Sequence, residues 1–201
     1  ILESAMGANP EKRRAVVALL AIAIATMTIG YYCYYEAYKE EIGERVHGIR
    51  KPGVYKVVPV AVRERPLLQG VEVKRGKIYC RGEKFFAYVL LDKLFNSTKT
   101  KIILYVENRG EKRAYITIIP HYDRMGKLTG WYRFSMRLEP KTTYRVVLEY
   151  PSKVEVEPET LAGALKTEEL SPELSMLRLS GGSMLGVCDI VIYNITVVIR
   201  E

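Results

Sequence analysis

The chain is short of the residue types that most often carry chemistry. Its 201 residues include two histidines, three cysteines, three aspartates and one tryptophan, and no CxxC pair occurs. Zinc and iron–sulfur sites need clusters of such ligands, so the sequence predicts no bound metal. His121 and Asp123 are close in sequence, but there is no GxSxG elbow to supply a nucleophile beside them. We therefore expect a protein that is not an enzyme and needs no cofactor.

Amide side chains and long basic runs are also scarce. Glutamine occurs once and asparagine four times, whereas lysine and glutamate are abundant, a bias typical of proteins from thermophiles, including many archaeal ones. The net charge is +8, but it is spread along the chain without any long basic block. Since a nucleic-acid-binding arm would need such a block, we expect no nucleic-acid partner.

One long apolar run is present, from Ala15 to Tyr35. It contains no charge, proline or amide side chain, and as a helix it would span about 30 Å, the thickness of a bilayer's hydrocarbon core. Three basic residues precede the run. A belt of tyrosines lies at its C-terminal end, and glutamates follow it. By the positive-inside rule, the N-terminus is cytoplasmic and the C-terminal part extracellular. The sequence thus predicts a single-pass segment in contact with membrane lipid.

Three interpretations of this segment remain open. It is a permanent signal anchor, or a secretory signal peptide cleaved near Ala23 or Ala25. In the third interpretation, residues 1–45 resemble the class III leader segment of archaeal type IV pilins and archaellins, because a short leader ends in basic residues and Ala15 before an uninterrupted apolar helix. The resemblance implies cleavage between Ala15 and Val16. It also implies that the helix then packs with its own copies in the core of an extracellular filament.

The hydrophobic pattern changes at Gly53 to the two-residue alternation that is typical of strands. Residues 157–175 are the least strand-like, and a short helix-like segment is predicted from Pro158 to Leu165. Short strands without long helices between them predict a single antiparallel β-sandwich or jelly roll. Turn residues separate nine candidate strands, which are residues 55–62, 71–80, 85–91, 101–107, 114–120, 131–138, 143–150, 176–179 and 187–199.

The predicted organisation therefore has four parts. Residues 1–14 form a cytoplasmic leader or tail, and residues 15–46 form the apolar helix with a juxtamembrane extension. Residues 47–70 contain a linker and the first strand, and residues 71–201 form the β-sandwich. The expected fold class is mostly β, with one transmembrane-length helix at the N-terminal end.

Alternation along residues 131–138 predicts two faces. Four apolar side chains share the core face, namely Tyr132, Phe134, Met136 and Leu138, whereas Trp131, Arg133, Ser135 and Arg137 point outward. An exposed tryptophan beside arginines, with Tyr122 close by, is typical of sites that stack and hydrogen-bond a sugar. The same residues also suit a contact with another protein subunit. The last strand is apolar on both sides, so we expect it to be central or covered by a partner.

Cys80 and Cys188 lie far apart in the predicted β region. If the domain is extracellular they could form one disulfide across a long loop, and the alternative is two unrelated buried thiols. Residues 101–123, 131–150 and 189–199 resemble, in pattern, the carbohydrate-binding jelly rolls of the galactose-binding-like class. In that class the closing strand pairs near the first one, which implies that Cys188 lies close to Cys80.

Two tripeptides match the N-glycosylation sequon, beginning at Asn96 and Asn194. The first follows a predicted strand in a loop, whereas the second lies within the apolar last strand. An extracellular location would make both candidates for modification, and the loop position favours Asn96.

The leading functional hypothesis is structural. An extracellular β-sandwich on an apolar helix would act as a subunit of a cell-surface assembly, most specifically of a pilin-like filament whose partners are copies of itself. A second hypothesis is a membrane-anchored, carbohydrate-binding jelly roll that captures polysaccharide at Trp131. A third is an accessory single-pass subunit of a larger membrane complex.

Overall fold

The structure, a computed structural model, describes residues 14, 17–19, 21–30, 48–64, 68–124, 127–166 and 170–201. The chain divides into two units, Ile1–Val46 and His47–Glu201. In the first unit, residues 17–19 and 21–30 are helical. Within the described part of the chain, no helix is both long and apolar enough to cross a membrane. The predicted cleavage site at Ala15 and Val16 lies outside the described residues.

The second unit is built from strands. Along several of them buried and exposed side chains alternate, as in a sheet with one face against a core. The strands are β1 (Gly53–Lys56), β2 (Pro59–Glu64), β3 (Val71–Lys74), β4 (Lys77–Gly82), β5 (Lys84–Asn96), β6 (Thr100–Asn108), β7 (Ala114–Arg124), β8 (Lys127–Gly130), β9 (Tyr132–Leu138), β10 (Thr142–Glu149), β11 (Lys153–Glu157), β12 (Ala162–Lys166), β13 (Glu173–Gly182) and β14 (Cys188–Ile199).

These strands form two sheets in which the neighbours are antiparallel. Sheet A has the order β12-β9-β7-β13-β5-β2, with β8 beside β7. Sheet B has the order β11-β10-β6-β14-β4-β3, with β1 beside β14. The predicted antiparallel β-sandwich is therefore confirmed. The last strand lies between β4 and β6, as its apolar sequence on both faces predicts.

The hydrophobic core lies between the two sheets. Tyr132, Phe134, Met136 and Leu138 are all buried, so the predicted core face of β9 is confirmed. Each large apolar side chain removed from water in this way contributes roughly 1.5–3 kcal/mol before the entropy of ordering is counted. Side chains that meet these from sheet B include Ile78, Ile102, Leu104, Val106, Tyr144, Val146 and Ile192.

Three predicted elements differ from the structure. Residues 71–80 are not one strand, because β3 and β4 pair with each other across a turn at Arg75 and Gly76. Residues 55–62 are not one strand, because β1 pairs with β14 in sheet B and β2 pairs with β5 in sheet A. The break at residues 57–58 carries the chain from one sheet to the other, and the backbone N–H of Val57 there donates to Ile195 O over 3.0 Å. The helix-like segment ending at Leu165 is also wrong, since residues 162–166 form β12. Pairing with β9 satisfies the backbone groups along one side of β12, and Gly163 lowers the helix propensity of the segment.

Candidate binding surface on the outer face of sheet B

Three tyrosines project from the outer face of sheet B. Tyr105 lies on β6, where alternate side chains point away from the core, and Tyr193 is its direct cross-strand neighbour on β14. Tyr79 on β4 is paired with Val191, two residues from Tyr193. All three side chains are half-buried, so each ring keeps part of its surface in solvent. Directly opposed residues have Cβ atoms about 5 Å apart, so Tyr105 and Tyr193 are close neighbours, and Tyr79 is diagonal to Tyr193 on the next strand.

The rings of Tyr105 and Tyr193 are nearly parallel. Their centroids are 5.7 Å apart and their planes make an angle of 17°. The ammonium group of Lys77 lies 5.4 Å from the centroid of the Tyr193 ring, and the guanidinium carbon of Arg81 lies 5.9 Å from that of Tyr79. Cations at these distances are attracted to the faces of the rings and hold them in place.

A shallow groove of about 550 Å³ lies beside this pair of rings. Polar and apolar side chains contribute to its lining, and Tyr105 forms part of its wall. The lining residues are Val54, Lys56, Ile103, Tyr105, Arg145, Asn194 and Thr196. These residues come from β1, β6, β10 and β14, whose pairing brings their outward side chains onto one surface.

The groove owes its shape partly to a bulge in β14. The pairing of β14 with β6 shifts between Tyr193 and Thr196, so β14 has one more residue than β6 in this stretch. Asn194 at the bulge has a φ of 52°, a left-handed conformation that asparagine tolerates better than most side chains. The bulge exposes the Asn194 side chain at the groove, although the flanking Ile195 is buried.

The groove has a positive lining. Lys56 and Arg145 contribute to it, and no carboxylate does so among the residues that the structure describes. Arg145 reaches Glu157 on the neighbouring strand over 3.4 Å, a long contact between exposed side chains that contributes little to stability. At the edge of the same sheet, a hydrogen bond from Lys153 lowers the pKa of Glu155, so this carboxylate stays ionised at neutral pH.

Trp131 is fully buried, so its predicted outward orientation is wrong. It lies just before β9, at the bend where the chain leaves β8, and its backbone N–H donates to Pro120 O over 3.0 Å. Because the residue is outside the regular strand, the alternation of β9 does not govern its direction. Its ring packs edge-on against Tyr150 from the other sheet, with centroids 5.7 Å apart.

Arg133 and Arg137 are exposed on the outer face of β9, as predicted, and Arg137 pairs with Glu139 over 2.9 Å. Tyr122 belongs to β7, but its side chain is not among those described. A sugar or protein contact that involves these residues stays a prediction, and it cannot include the buried ring of Trp131.

Cys80 and Cys188 lie on neighbouring strands as free, buried cysteines. Their implied proximity is confirmed, since the Cys188 thiol lies 4.0 Å from the Cys80 carbonyl oxygen. Of the two alternatives left open by the sequence, the structure has the two buried thiols and not the disulfide. The register explains this, because Cys80 pairs with Ile190 and Cys188 with Gly82, so the two thiols are diagonal rather than opposite. Burial raises the pKa of both thiols, which keeps them protonated and unreactive.

The two sequons occupy different environments. Asn96 ends β5 and is half-buried, and its backbone N–H donates to Ile49 O over 3.0 Å. Asn194 is exposed although the sequence places it inside an apolar strand, because the bulge turns it outward. Glycosylation at either position stays a prediction, but the structure makes Asn194 the more accessible of the two.

His121 lies on the outer face of sheet A rather than in a cluster of ligands. It is buried, and its ring stacks on Tyr88 with centroids 6.0 Å apart. Within the described residues, no group of three or more histidine, cysteine, aspartate or glutamate side chains could hold a metal ion.

Sequence reasoning missed the tyrosine surface. Alternation along residues 101–107 places Tyr105 on the outside, so one signal was present. This alternation does not predict that Tyr105 pairs with Tyr193, because the two strands are separated by about 80 residues in sequence and their register includes a bulge.

Comparisons with known proteins identify no family. No family model matches the chain, and no curated protein does so. Solved structures with some likeness include PfGH50B, with a TM-score of 0.47 and 13% identity over 71% of this chain. This chain spans only 22% of the length of PfGH50B.

Two further structures show a weaker likeness. One comes from work on endo-acting O-glycanases of the human gut microbiota, with a TM-score of 0.42 and 8% identity over 74% of this chain and 99% of that one. The other is LamAcat from Zobellia galactanivorans, with a TM-score of 0.37 and 13% identity over 64% of this chain and 80% of that one. At these similarities, the sandwich assignment rests on the strand pairing of this chain itself.

Proposed function

We propose that the β-sandwich is a non-enzymatic binding module that holds polysaccharide on the outer face of sheet B. The observation that carries this proposal is the nearly parallel pair Tyr105 and Tyr193 beside a groove with mixed polar and apolar lining. The proposal keeps the carbohydrate-binding hypothesis but moves its site from Trp131 to the tyrosine surface.

Aromatic rings suit sugars because a pyranose has an apolar face of C–H groups and a rim of hydroxyls. A half-buried tyrosine offers a flat apolar surface while its hydroxyl stays at the wet end. The two rings are held by strands rather than by loops, so little conformational entropy is lost when a ligand binds. A repeating polymer could contact both rings with successive residues.

The groove also supplies hydrogen-bonding groups for sugar hydroxyls. Lys56 and Arg145 are donors, Thr196 both donates and accepts, and the amide of Asn194 has two donors and an acceptor. The positive lining favours a polysaccharide that carries carboxylate or sulfate groups. The expected ligand class is therefore an acidic polysaccharide.

The proposal is tested by binding measurements on a panel of acidic and neutral polysaccharides. Tyr105→Ala and Tyr193→Ala should each weaken retention about tenfold, since an aromatic contact contributes about 1–1.5 kcal/mol. Tyr115→Ala is the matched control, because Tyr115 is exposed on the outer face of the other sheet. If Tyr105→Ala and Tyr193→Ala both bind as well as the wild type and the control, this surface is not the binding site.

The role in a cell-surface assembly is a second candidate, and the helix of the first unit supports it. Val17, Leu19, Ile22, Ile24, Met27 and Ile29 are exposed, and at 100° per residue they surround the helix. The hydroxyls of Thr26 and Thr28 donate to carbonyl oxygens one turn earlier, which removes polar groups from the helix surface. A helix that is apolar on all sides needs lipid or other helices around it.

N-terminal sequencing of the mature protein and electron microscopy test this second candidate. A mature chain that begins at Val16 and assembles into filaments would support the pilin-like arrangement. A chain that retains Ala15 and stays dispersed in detergent would instead favour a permanent membrane anchor.

A further inference from the structure

The open edge of sheet A is unusual in this molecule. β12 pairs with β9 on one side, and among the described residues no strand pairs with its other side. Residues 161–165 are exposed and carry no charge and no proline, with the sequence Leu-Ala-Gly-Ala-Leu. The free backbone groups of such an edge are a template for another strand.

The other three strands that end the two sheet orders, β2, β3 and β11, each carry at least two charged residues. Natural proteins place charged side chains on edge strands to prevent unwanted pairing. The charged residues at these edges are Arg63 and Glu64 on β2, Glu72 and Lys74 on β3, and Lys153, Glu155 and Glu157 on β11. Among the four strands that end the two sheet orders, β12 carries the fewest charged residues, because its one charge is Lys166 at the strand end.

An apolar groove of about 730 Å³ adjoins this edge. Its apolar lining includes Leu161, Tyr115, Met184 and Leu185, and the side chains of Arg113 and Arg137 also contribute to it. Met184 is 93% exposed and Leu161 is 71% exposed. Large apolar side chains clustered at one exposed place mark an interaction surface rather than ordinary solvent-facing residues.

We propose that a second copy of this chain pairs with the β12 edge, antiparallel and about a twofold axis. If Gly163 faces its own counterpart, Leu161 of one copy lies opposite Leu165 of the other, on the side that faces the groove. The edge is thus complementary to itself, as a twofold interface requires. Ala162 and Ala164 alternate with these residues and are small enough to let the two backbones approach.

Pairing of this kind joins two copies of sheet A into one continuous sheet. It satisfies the free backbone groups of both β12 strands and covers four exposed leucines, two from each copy. The tyrosine surface lies on the other sheet, so the proposal does not depend on polysaccharide binding. An unrelated strand could satisfy the backbone, but it would lack the matched leucines.

Analytical ultracentrifugation of the full chain, in a mild detergent that disperses the helix, tests the proposal. The wild type should sediment as a dimer, and Leu165→Lys should be monomeric because it places a charge opposite Leu161 of the other copy. Val60→Lys is the matched control, since Val60 is exposed on the β2 edge, and it should remain dimeric. A monomeric wild type, or a dimer that survives Leu165→Lys, would overturn the proposal.

Cross-linking gives a second test that does not depend on affinity. Gly163→Cys, in a chain with Cys33→Ala, should give a covalent dimer with a short bis-maleimide linker, because nothing lies within 4 Å of a Cβ at this position. Arg63→Cys on the β2 edge is the control and should give no covalent dimer under the same conditions. Equal cross-linking of the two variants would show random collision and exclude the β12 pairing.

Discussion

Trp131 shows that the alternation of side chains along a strand does not predict the orientation of a residue just outside it. Alternation places it beside Arg133 on the surface, yet the bend after β8 turns the indole between the sheets against Tyr150. Its packing therefore contributes to stability rather than to a ligand contact. The sequence does predict its neighbours correctly, because Tyr132 and Phe134 lie inside the regular part of β9.

Trp131→Ala should lower the free energy of unfolding by about 3–5 kcal/mol, as expected when a fully buried indole leaves a cavity. Val60→Ala, which shortens an exposed side chain on β2, should change it by less than about 0.5 kcal/mol. Urea-induced unfolding followed by circular dichroism measures both. A Trp131→Ala variant as stable as the wild type would contradict the packing of the indole in the core.

The buried cysteines give the protein a pH-dependent contribution to stability. Burial raises the pKa of Cys80 above the ordinary value of a thiol. Above about pH 8.5 the unfolded chain releases this proton while the folded chain keeps it. The unfolded state then binds fewer protons, so stability falls as pH rises through this range.

Between pH 8.5 and 10 this single thiol should lower stability by an amount that approaches 1.4 kcal/mol per pH unit, in the limit of complete ionisation. Cys80→Ala should flatten that part of the stability curve even if it lowers the curve as a whole. Cys188→Ala should flatten the same part of the curve, since Cys188 lies on the neighbouring strand and its pKa is also raised by burial. An unchanged slope in Cys80→Ala would contradict the assignment.

At the scale of elements, the β14 bulge determines the shape of the candidate site. The apolar pattern of residues 187–199 predicts a central strand, and the structure confirms it between β4 and β6. The pattern does not predict the bulge, because the left-handed backbone conformation of Asn194 does not change the order of apolar and polar residues. Only the paired strand shows where the register shifts.

Asn194→Gly should leave stability within about 0.5 kcal/mol of the wild type, because glycine adopts a positive φ without strain. Asn194→Val should cost about 1–2 kcal/mol, since a β-branched side chain is strained at a φ of 52°. Thermal unfolding of the two variants side by side separates backbone strain from the loss of the amide. If the valine variant is as stable as the glycine variant, the bulge conformation is not retained.

At the scale of the whole molecule, the net charge of +8 bears on ligand choice. Mixed and scattered charges argue against a nucleic-acid arm, and they remain compatible with a local positive groove at Lys56 and Arg145. Attraction between such a groove and an anionic polymer is long-ranged and sensitive to salt. Screening has a length of about 10 Å at 0.1 M ionic strength.

Retention on an acidic polysaccharide should therefore fall severalfold as NaCl rises from about 0.05 to 0.5 M, a range over which screening shortens from well above 10 Å to a few ångströms. Arg145→Gln should weaken binding and reduce this salt dependence. Arg63→Gln, a charge removed from the edge of the other sheet, should change neither. Binding that is insensitive to salt would indicate a neutral polysaccharide instead.

The sequence by itself determined the apolar helical segment and the antiparallel β-sandwich, because alternation and turn residues are local properties of the chain. It also determined the core face of β9. The tertiary structure decided that Trp131 is buried, that Cys80 and Cys188 are diagonal, and that Tyr105 meets Tyr193. These features depend on which distant strands pair and in what register, and the free energy that selects the register comes from packing two sheets together.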